Sequence, residues 1–284
     1  AIEVVFIMKI IHVINPFSVP ENSEASLVQM KTMESIVNAV SYANGIVDVH
    51  ILMKVSPSDL EYFKTRFKKD YFHFDTLRSD SSKLEKKFQV ERELPLLNDL
   101  LSVKQINGLQ IEDEDLIVVT NMDICLQPYF YAEITKIRNE GKDVFVINRR
   151  TIAKELIDLP MAQAYTADGD KHIGHDCFVF PYKLLKLFDI REHILGIGFV
   201  FRPFLLNCIL HSKNFHEFDE AYLTFHYGDD MEWKNEKYND YLEHNKELLI
   251  NVFDSNKVII DKLSDDEPKF HWLKKFFKFN FLNW

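Results

Sequence analysis

Cysteine is scarce in this chain: its 284 residues include three, Cys125, Cys177 and Cys208. Each sits in apolar surroundings and none forms a C-x-x-C pair, so neither a thiolate zinc site nor a disulfide framework is expected, and a reducing, cytosolic compartment fits. Basic residues are also in deficit, 34 Lys and Arg against 44 Asp and Glu, a net charge of -10. A protein that neutralises a phosphate backbone needs the opposite balance, which excludes nucleic acid as the main partner. No apolar run reaches the roughly 18 residues of a membrane-spanning helix. The nearest case, "AIEVVFIMKIIHVI" at the start, is broken by Glu3 and Lys9 and has no basic region before it, so it reads as a strand and not as a signal peptide. Gly/Ser-rich linkers and internal repeats are missing too, and 46% hydrophobic content supplies a sizeable core, so one large domain with appendages is expected.

What is present is an alternation of strand-like and helix-like segments. Ile10 to Ile14 is the first strand, ended by Asn15-Pro16. Glu24 to Ala43 carries apolar residues at Leu27, Met30, Met33, Ile36, Val37 and Val40, a helical spacing, and Gly45 stops it. Ile46 to Met53 is a second strand, Pro57-Ser58-Asp59 opens a helix to about Lys69, and Tyr71 to Leu77 is a third strand. A helix over Leu94 to Val103, a strand over Leu116 to Val119, a helix over Pro128 to Asn139 and a strand over Val144 to Ile147 complete the first half. This order predicts an α/β fold with a mostly parallel central sheet flanked by helices. After Arg150 come an irregular stretch to Ile173, the strand "DCFVFP" (Asp176 to Pro181), two helical stretches, one of them through Phe201 to Leu210, a short strand over Ala221 to Phe225 and a polar helix to about Leu249.

Ligands of such sheets bind at the carboxyl ends of strands, near the point where strand order reverses. Three polar segments fall at strand ends: Asn15-Pro16-Phe17, Asn121-Met122-Asp123 and Asn148-Arg149-Arg150. An Asn-x-Asp turn puts an amide and a carboxylate oxygen into one crevice, hard ligands that suit Mg²⁺ or Mn²⁺ bridging to a diphosphate. The same two residues are also common turn formers and helix caps.

Four stretches together, "IIHVINPF" (Ile10 to Phe17), "LIVVTNMDICLQP" (Leu116 to Pro128), "GHDCFVFP" (Gly174 to Pro181) and "FHYGDDMEW" (Phe225 to Trp233), resemble the GT-A fold of nucleotide-sugar glycosyltransferases. The resemblance spans roughly residues 8 to 250, and Asn121 stands where the family usually has the first Asp of its Asp-x-Asp motif. It implies a catalytic domain over 1–250, with a nucleotide-sugar half at about 8–150 and an acceptor half at about 151–250, followed by a tail over 251–284. It also implies a UDP- or GDP-type donor, a glycan or lipid-linked glycan acceptor, and Mn²⁺ or Mg²⁺ as cofactor.

By the same resemblance, Asp123 would contact the metal and Asn121 the ribose or a metal-bound water. Asn15 would border the nucleotide, with a strand-end cap as its alternative. His226, between a strand and an acidic pair, would meet the metal and diphosphate as a neutral imidazole. An inverting transferase needs a carboxylate as general base. Asp176, at the start of an apolar strand, is the first candidate; Asp229 and Asp230 are the others, with helix N-caps as their bland alternative. Arg149 and Arg150 leave a strand together and so point in opposite directions, one of them towards diphosphate or acceptor.

The tail "KFHWLKKFFKFNFLNW" places His271, Lys274, Lys275 and Lys278 on one helical face and Phe270, Trp272, Leu273, Phe276, Phe277, Phe279, Phe281 and Trp284 around the other. That is the pattern of a helix lying on anionic lipid over 269–284, which would hold a cytoplasmic protein on the inner face of a membrane. Docking of the aromatic face on the domain itself or on a second copy, as in a homo-oligomer, gives the same pattern. Two rival functions keep the same fold: a sugar-phosphate nucleotidyltransferase, against which the glycine-free "NPFSVPENSEAS" counts, and a catalytically silent glycan-binding protein.

Overall fold

A computed structural model describes residues 8–103, 108–229 and 235–280. The first strand, β1 (Lys9–Ile14), lies inside a seven-stranded sheet. On one side of it follow β2 (Asp48–Val55) and β3 (Phe72–Thr76). On the other side follow β4 (Leu116–Thr120), β9 (Cys177–Pro181), β6 (Val144–Ile147) and β10 (Phe215–Phe218). Every neighbouring pair is parallel except those made by β9, which runs antiparallel to both β4 and β6. The chain leaves β1 towards β2 and β3 and then returns to β4 on the opposite side. The switch point therefore lies between the carboxyl ends of β1 and β4.

Alternation along the strands divides the core into two layers. Ile10, Ile14, Leu116, Val118, Cys177 and Val179 pack with Met33, Ile36 and Ala39 of α1 (Glu24–Ala43) and with Phe130, Ile134 and Ile137 of α4 (Phe130–Asn139). Ile11, Val13, Ile117, Val119, Phe178 and Phe180 face the other way, onto α6 (Arg202–His211), α7 (Asn239–Ile260) and α8 (Pro268–Asn280). Burying one such side chain stabilises by about 1.5–3 kcal/mol, so strands covered on both faces read as unbroken apolar runs. Local signals set the ends of α1: the Ser23 hydroxyl accepts the Ser26 N–H at 3.1 Å, and Gly45 adopts φ +80° just beyond the last turn.

Several polar groups are buried in this core, and His12 is one of them. His12 is fully buried, with Nδ1 2.8 Å from the Tyr131 hydroxyl and Nε2 2.8 Å from Thr120 Oγ1. Burial pushes its pKa down to about 3, so the ring is neutral and links β1, β4 and α4 directly under the strand ends.

A second, four-stranded sheet stands beyond those ends, in the order β5 (Cys125–Leu126), β11 (Thr224–Tyr227), β7 (Arg150–Ile152), β8 (Asp170–Lys171). Phe225 lies opposite Cys125 in the β5–β11 pair and opposite Arg150 in the β11–β7 pair. This register joins the ends of β4 and β6 to the strand carrying His226.

Several boundaries depart from the sequence expectations. The helix expected over Leu94 to Val103 shrinks to α3 (Leu97–Leu100), because Pro95 and Leu96 are extended and bridge to Asp80 and Ile194. Strand β10 was not foreseen; it is a four-residue edge strand held by β6. Strand β2 begins two residues later than expected, since Ile46 lies in the exposed turn after Gly45. The helix α2 (Leu60–Arg66) is shorter than the 57–69 span, β11 starts at Thr224 after Tyr222 turns with φ +52°, and α7 continues past Leu249 to Ile260.

The C-terminal helix α8 follows the docking alternative. Leu273 and Phe276 are 1% and 3% exposed within the core, and the Trp272 and Phe277 rings meet Phe215 and Phe253 edge-on at 5.4 Å. The Lys275 ammonium lies 2.6 Å from Glu217, and Lys269 donates to the carbonyls of Leu210 and Ser212. Leu273 and Phe276, with the Trp272 and Phe277 rings, are thus used inside the domain, while His271, Lys274, Lys275 and Lys278 face out; the side chains of Phe279, Phe281 and Trp284 lie outside the described residues. Among the described residues no helix is long and apolar enough to cross a membrane.

Candidate functional site

Asp123 follows β4 in a tight turn, and the β5–β11 pairing brings His226 against it. His226 Nε2 is 3.2 Å from Asp123 Oδ2, and Nδ1 is 2.6 Å from the Gly228 carbonyl. Gly228 adopts φ +69°, in the left-handed region open to glycine, at the turn that returns this carbonyl to the ring. A carbonyl only accepts, so Nδ1 carries a proton. In a neutral ring Nε2 would then present its lone pair to a carboxylate, and two acceptors repel. Either the ring is an imidazolium bridging carbonyl and carboxylate, or Nε2 and Asp123 jointly face a cation.

The electrostatics support the first state when no cation is bound. Burial pushes the His226 pKa down, but the hydrogen bond and charge of Asp123 outweigh it, and the net shift is upward. Burial pushes Asp123 up, and His226 and Arg149 overcome it, so the carboxyl titrates below its ordinary range. Asp123 Oδ1 is shielded from water and has no partner, although the side chain as a whole is 45% exposed. An orphaned carboxylate oxygen beside an imidazole with a fixed Nδ1–H fits a divalent ion. Among the described residues no group of three or more His, Cys, Asp and Glu is placed to hold a metal, so the protein's share would be these two ligands. Mg²⁺ is commonly held by one or two carboxylates plus substrate phosphates, so few protein ligands are enough.

Arg149 organises the rest of the crevice. Its Nη1 is 2.7 Å from Asp176 Oδ2, its Nη2 is 3.3 Å from Asp229 Oδ1, and His172 Nε2 stands 3.4 Å from Nη2. His172 Nδ1 accepts the Gly174 N–H at 2.9 Å, so both ring nitrogens face donors, a backbone N–H on one side and the guanidinium on the other. Burial and the neighbouring guanidinium both lower the pKa of His172, and Asp176 and Asp229 oppose them without prevailing. The contact requires Gly174: a Cβ there would lie 2.4 Å from His172 Cε1. The positive charge of Arg149 also acts on Asp123 and His226, which places both groups in one electrostatic unit. Three carboxylates, Asp123, Asp176 and Asp229, against the Arg149 guanidinium and the His226 imidazolium leave the crevice short of positive charge.

Other sequence candidates stand elsewhere or play different parts. Asn15 donates to the Lys54 carbonyl at 2.6 Å and so ties the end of β1 to β2. Arg150 points away from Arg149: its Nε donates to the Asp168 carbonyl and its guanidinium lies 3.6 Å from the Tyr222 ring centroid. Asn121 is half-buried, and its side chain makes no hydrogen bond to the described residues. Asp230 lies outside the described residues. Sequence reasoning missed His172, which sits in an irregular segment with no periodicity to mark it; the nearby Gly174 was the one available signal.

No family model and no curated protein matches the sequence. Solved structures do. That of S. aureus TarS 1–349 in complex with UDP-GlcNAc is similar over 87% of this chain and 66% of its own length, with a TM-score of 0.54 and 12% identity. The chain thus spans just under two thirds of that structure. The fold is GT-A-like. A 4-diphosphocytidyl-2C-methyl-D-erythritol synthase from Anaerococcus prevotii is matched over 84% of this chain and 99% of its own, at 10% identity, but its TM-score of 0.38 is too low to argue from. In the GT-A-like frame, Asp123 lies at the switch point between β1 and β4, while Arg149, Asp176, His172 and Asp229 border the side built by the second half of the chain.

Proposed function

We propose that this chain is a metal-assisted glycosyltransferase that moves a sugar from a UDP- or GDP-type donor to a glycan hydroxyl with inversion. The observation that carries it is the Asp123–His226 pair at the switch point, with Nδ1 of the imidazole committed to Gly228. Asp123 and His226 would hold Mn²⁺ or Mg²⁺, which supplies positive charge to the leaving diphosphate. The negative balance of the crevice argues the same way, since a diphosphate entering beside three carboxylates needs a counter-charge. Asn121, whose side chain has no hydrogen-bond partner among the described residues, is left to the donor.

The two carboxylates on Arg149 take separate roles in this proposal. The Asp176 side chain is 12% exposed and held at 2.7 Å by Arg149, whereas that of Asp229 is 42% exposed. A general base must reach the acceptor hydroxyl, so Asp229 accepts the proton and Asp176 fixes the guanidinium beside it. This reverses the order of candidates drawn from sequence, which put Asp176 first.

Calorimetry against a panel of nucleotide sugars, with and without Mn²⁺, tests the proposal. One donor should bind in a Mn²⁺-dependent way and slowly release nucleoside diphosphate, and Asp123→Ala should abolish both. Cleavage of the nucleotide sugar to nucleoside triphosphate and sugar phosphate on addition of pyrophosphate would instead move the protein to the nucleotidyltransferases, and a lack of binding to every donor would favour the silent glycan-binding protein.

A further inference from the structure

We propose that the cavity between α6, β10 and α8 is an acceptor subsite for an apolar ring or short alkyl group, as in an aryl or alkyl glycoside, whose sugar hydroxyl then meets the carboxylate cluster. This assignment rests on the transferase function proposed above.

The cavity measures about 210 Å³. Leu205 and Ile209 of α6, Phe215 of β10, and Trp272 and Phe276 of α8 form its walls, with Ile173, 70% exposed, also lining it. A dry apolar cavity of about 150 Å³ is enough for one benzene ring, so this one accepts a single ring or a short chain. The buried carboxylate in its wall, Glu217, is already satisfied. Glu217 takes hydrogen bonds from Asn148 at 3.0 Å, His175 at 3.2 Å and Lys275 at 2.6 Å. Burial pushes the Glu217 carboxyl up, yet these partners hold it at about 2, so it stays ionised and saturated. A free sugar ring would bury its hydroxyls against Leu205, Ile209, Phe215, Trp272 and Phe276, which cannot pair with them, whereas an apolar group gives up nothing. Asn148, 3% exposed in the same wall, has an Oδ1 without a partner among the described residues and calls for a donor from the ligand.

The cavity adjoins the reaction site. His172 and His175 both line it. His172 Nδ1 is 3.7 Å from Asp176 Oδ2, and Asp176 directly follows His175. A group seated against Trp272 would therefore hold the next sugar unit close to Asp176, Arg149 and Asp229.

The test compares p-nitrophenyl and octyl glycosides with the corresponding free sugars. Calorimetry should show at least tenfold tighter binding of the glycosides, and the nitrophenyl group should quench tryptophan emission in the parent protein but not in Trp272→Phe. Ile173→Asp, at an exposed position, should weaken glycoside binding at least tenfold with an unchanged thermal midpoint; Ile209→Phe, which fills the cavity, should do the same. Equal affinity for glycoside and free sugar, or full affinity in both variants, overturns the proposal. Nucleotide-sugar binding measured in parallel separates the two claims. Donor binding without any glycoside preference defeats the subsite alone, and glycoside binding without any donor defeats the transferase function and the acceptor role with it.

Discussion

Changing Asp123 to Asn keeps the side-chain size and removes the charge that faces His226, and the cost should depend on pH with a definite sign. His226 has a raised pKa, so its contribution to stability is complete below the unfolded value of about 6.5 and disappears as pH rises through the folded value. Asp123 has a lowered pKa, so its contribution is complete above about 3.9 and disappears as pH falls through the folded value. The pair therefore stabilises most between about pH 4 and pH 6.5. A hydrogen bond to a charged group is worth about 1.5–3 kcal/mol. Because the Asp123 side chain is 45% exposed, screening reduces this to about 1 kcal/mol. Urea unfolding of the parent, Asp123→Asn, His226→Gln and the double variant gives the coupling directly: about 1 kcal/mol near pH 5.5 and close to zero near pH 9. Mn²⁺ should reverse the trend. A metal takes the neutral imidazole and displaces the proton, so Mn²⁺ should raise the unfolding midpoint more at alkaline than at acidic pH, and should fail to do so in Asp123→Asn. A coupling that ignores pH would refute the imidazolium bridge, and a Mn²⁺ effect that survives Asp123→Asn would refute the metal assignment.

Three further outcomes follow from the packing. Arg149→Met strands the mostly buried Asp176 carboxylate and should cost about 3 kcal/mol, much of it regained when Asp176→Asn is added; strictly additive losses in urea unfolding would contradict the ion pair. Leu273→Ala, at a site 1% exposed, should cost about 3 kcal/mol in thermal or chemical unfolding, and a loss under about 0.5 kcal/mol would mean that α8 is not docked in solution. Tyr131→Phe leaves Nδ1 of the buried His12 unpaired and should destabilise by about 1–3 kcal/mol, whereas a neutral result would require another partner for that nitrogen.

The parts of the fold that were legible in sequence are those decided by neighbours along the chain. Helix α1 was readable to the residue from its helical spacing and Gly45, and the structure adds the Ser23 cap, which acts within one turn of where it stands. Strands β1, β4 and β6 were readable because burial on both faces demands unbroken apolar runs. Strand β10 was not, because four residues of mixed polarity pair only when β6 is already in place. Residues 94–96 were read into a helix, but Pro95 and the bridge from Leu96 to Ile194 keep them extended.

The candidate site divides along the same line. The sequence by itself determined that Asn121 and Asp123 end a buried strand, since the apolar run and its polar stop are contiguous. Only the tertiary structure decided that His226, 103 positions later, faces Asp123 at 3.2 Å, and that Arg149 rather than Arg150 gathers Asp176, Asp229 and His172. It also decided what covers α8. An amphipathic pattern specifies an apolar face and says nothing of its partner, because lipid and protein interior satisfy the hydrophobic effect equally well; the choice was made by Phe215, Leu205 and Ile209, which stand where Trp272 and Phe276 arrive.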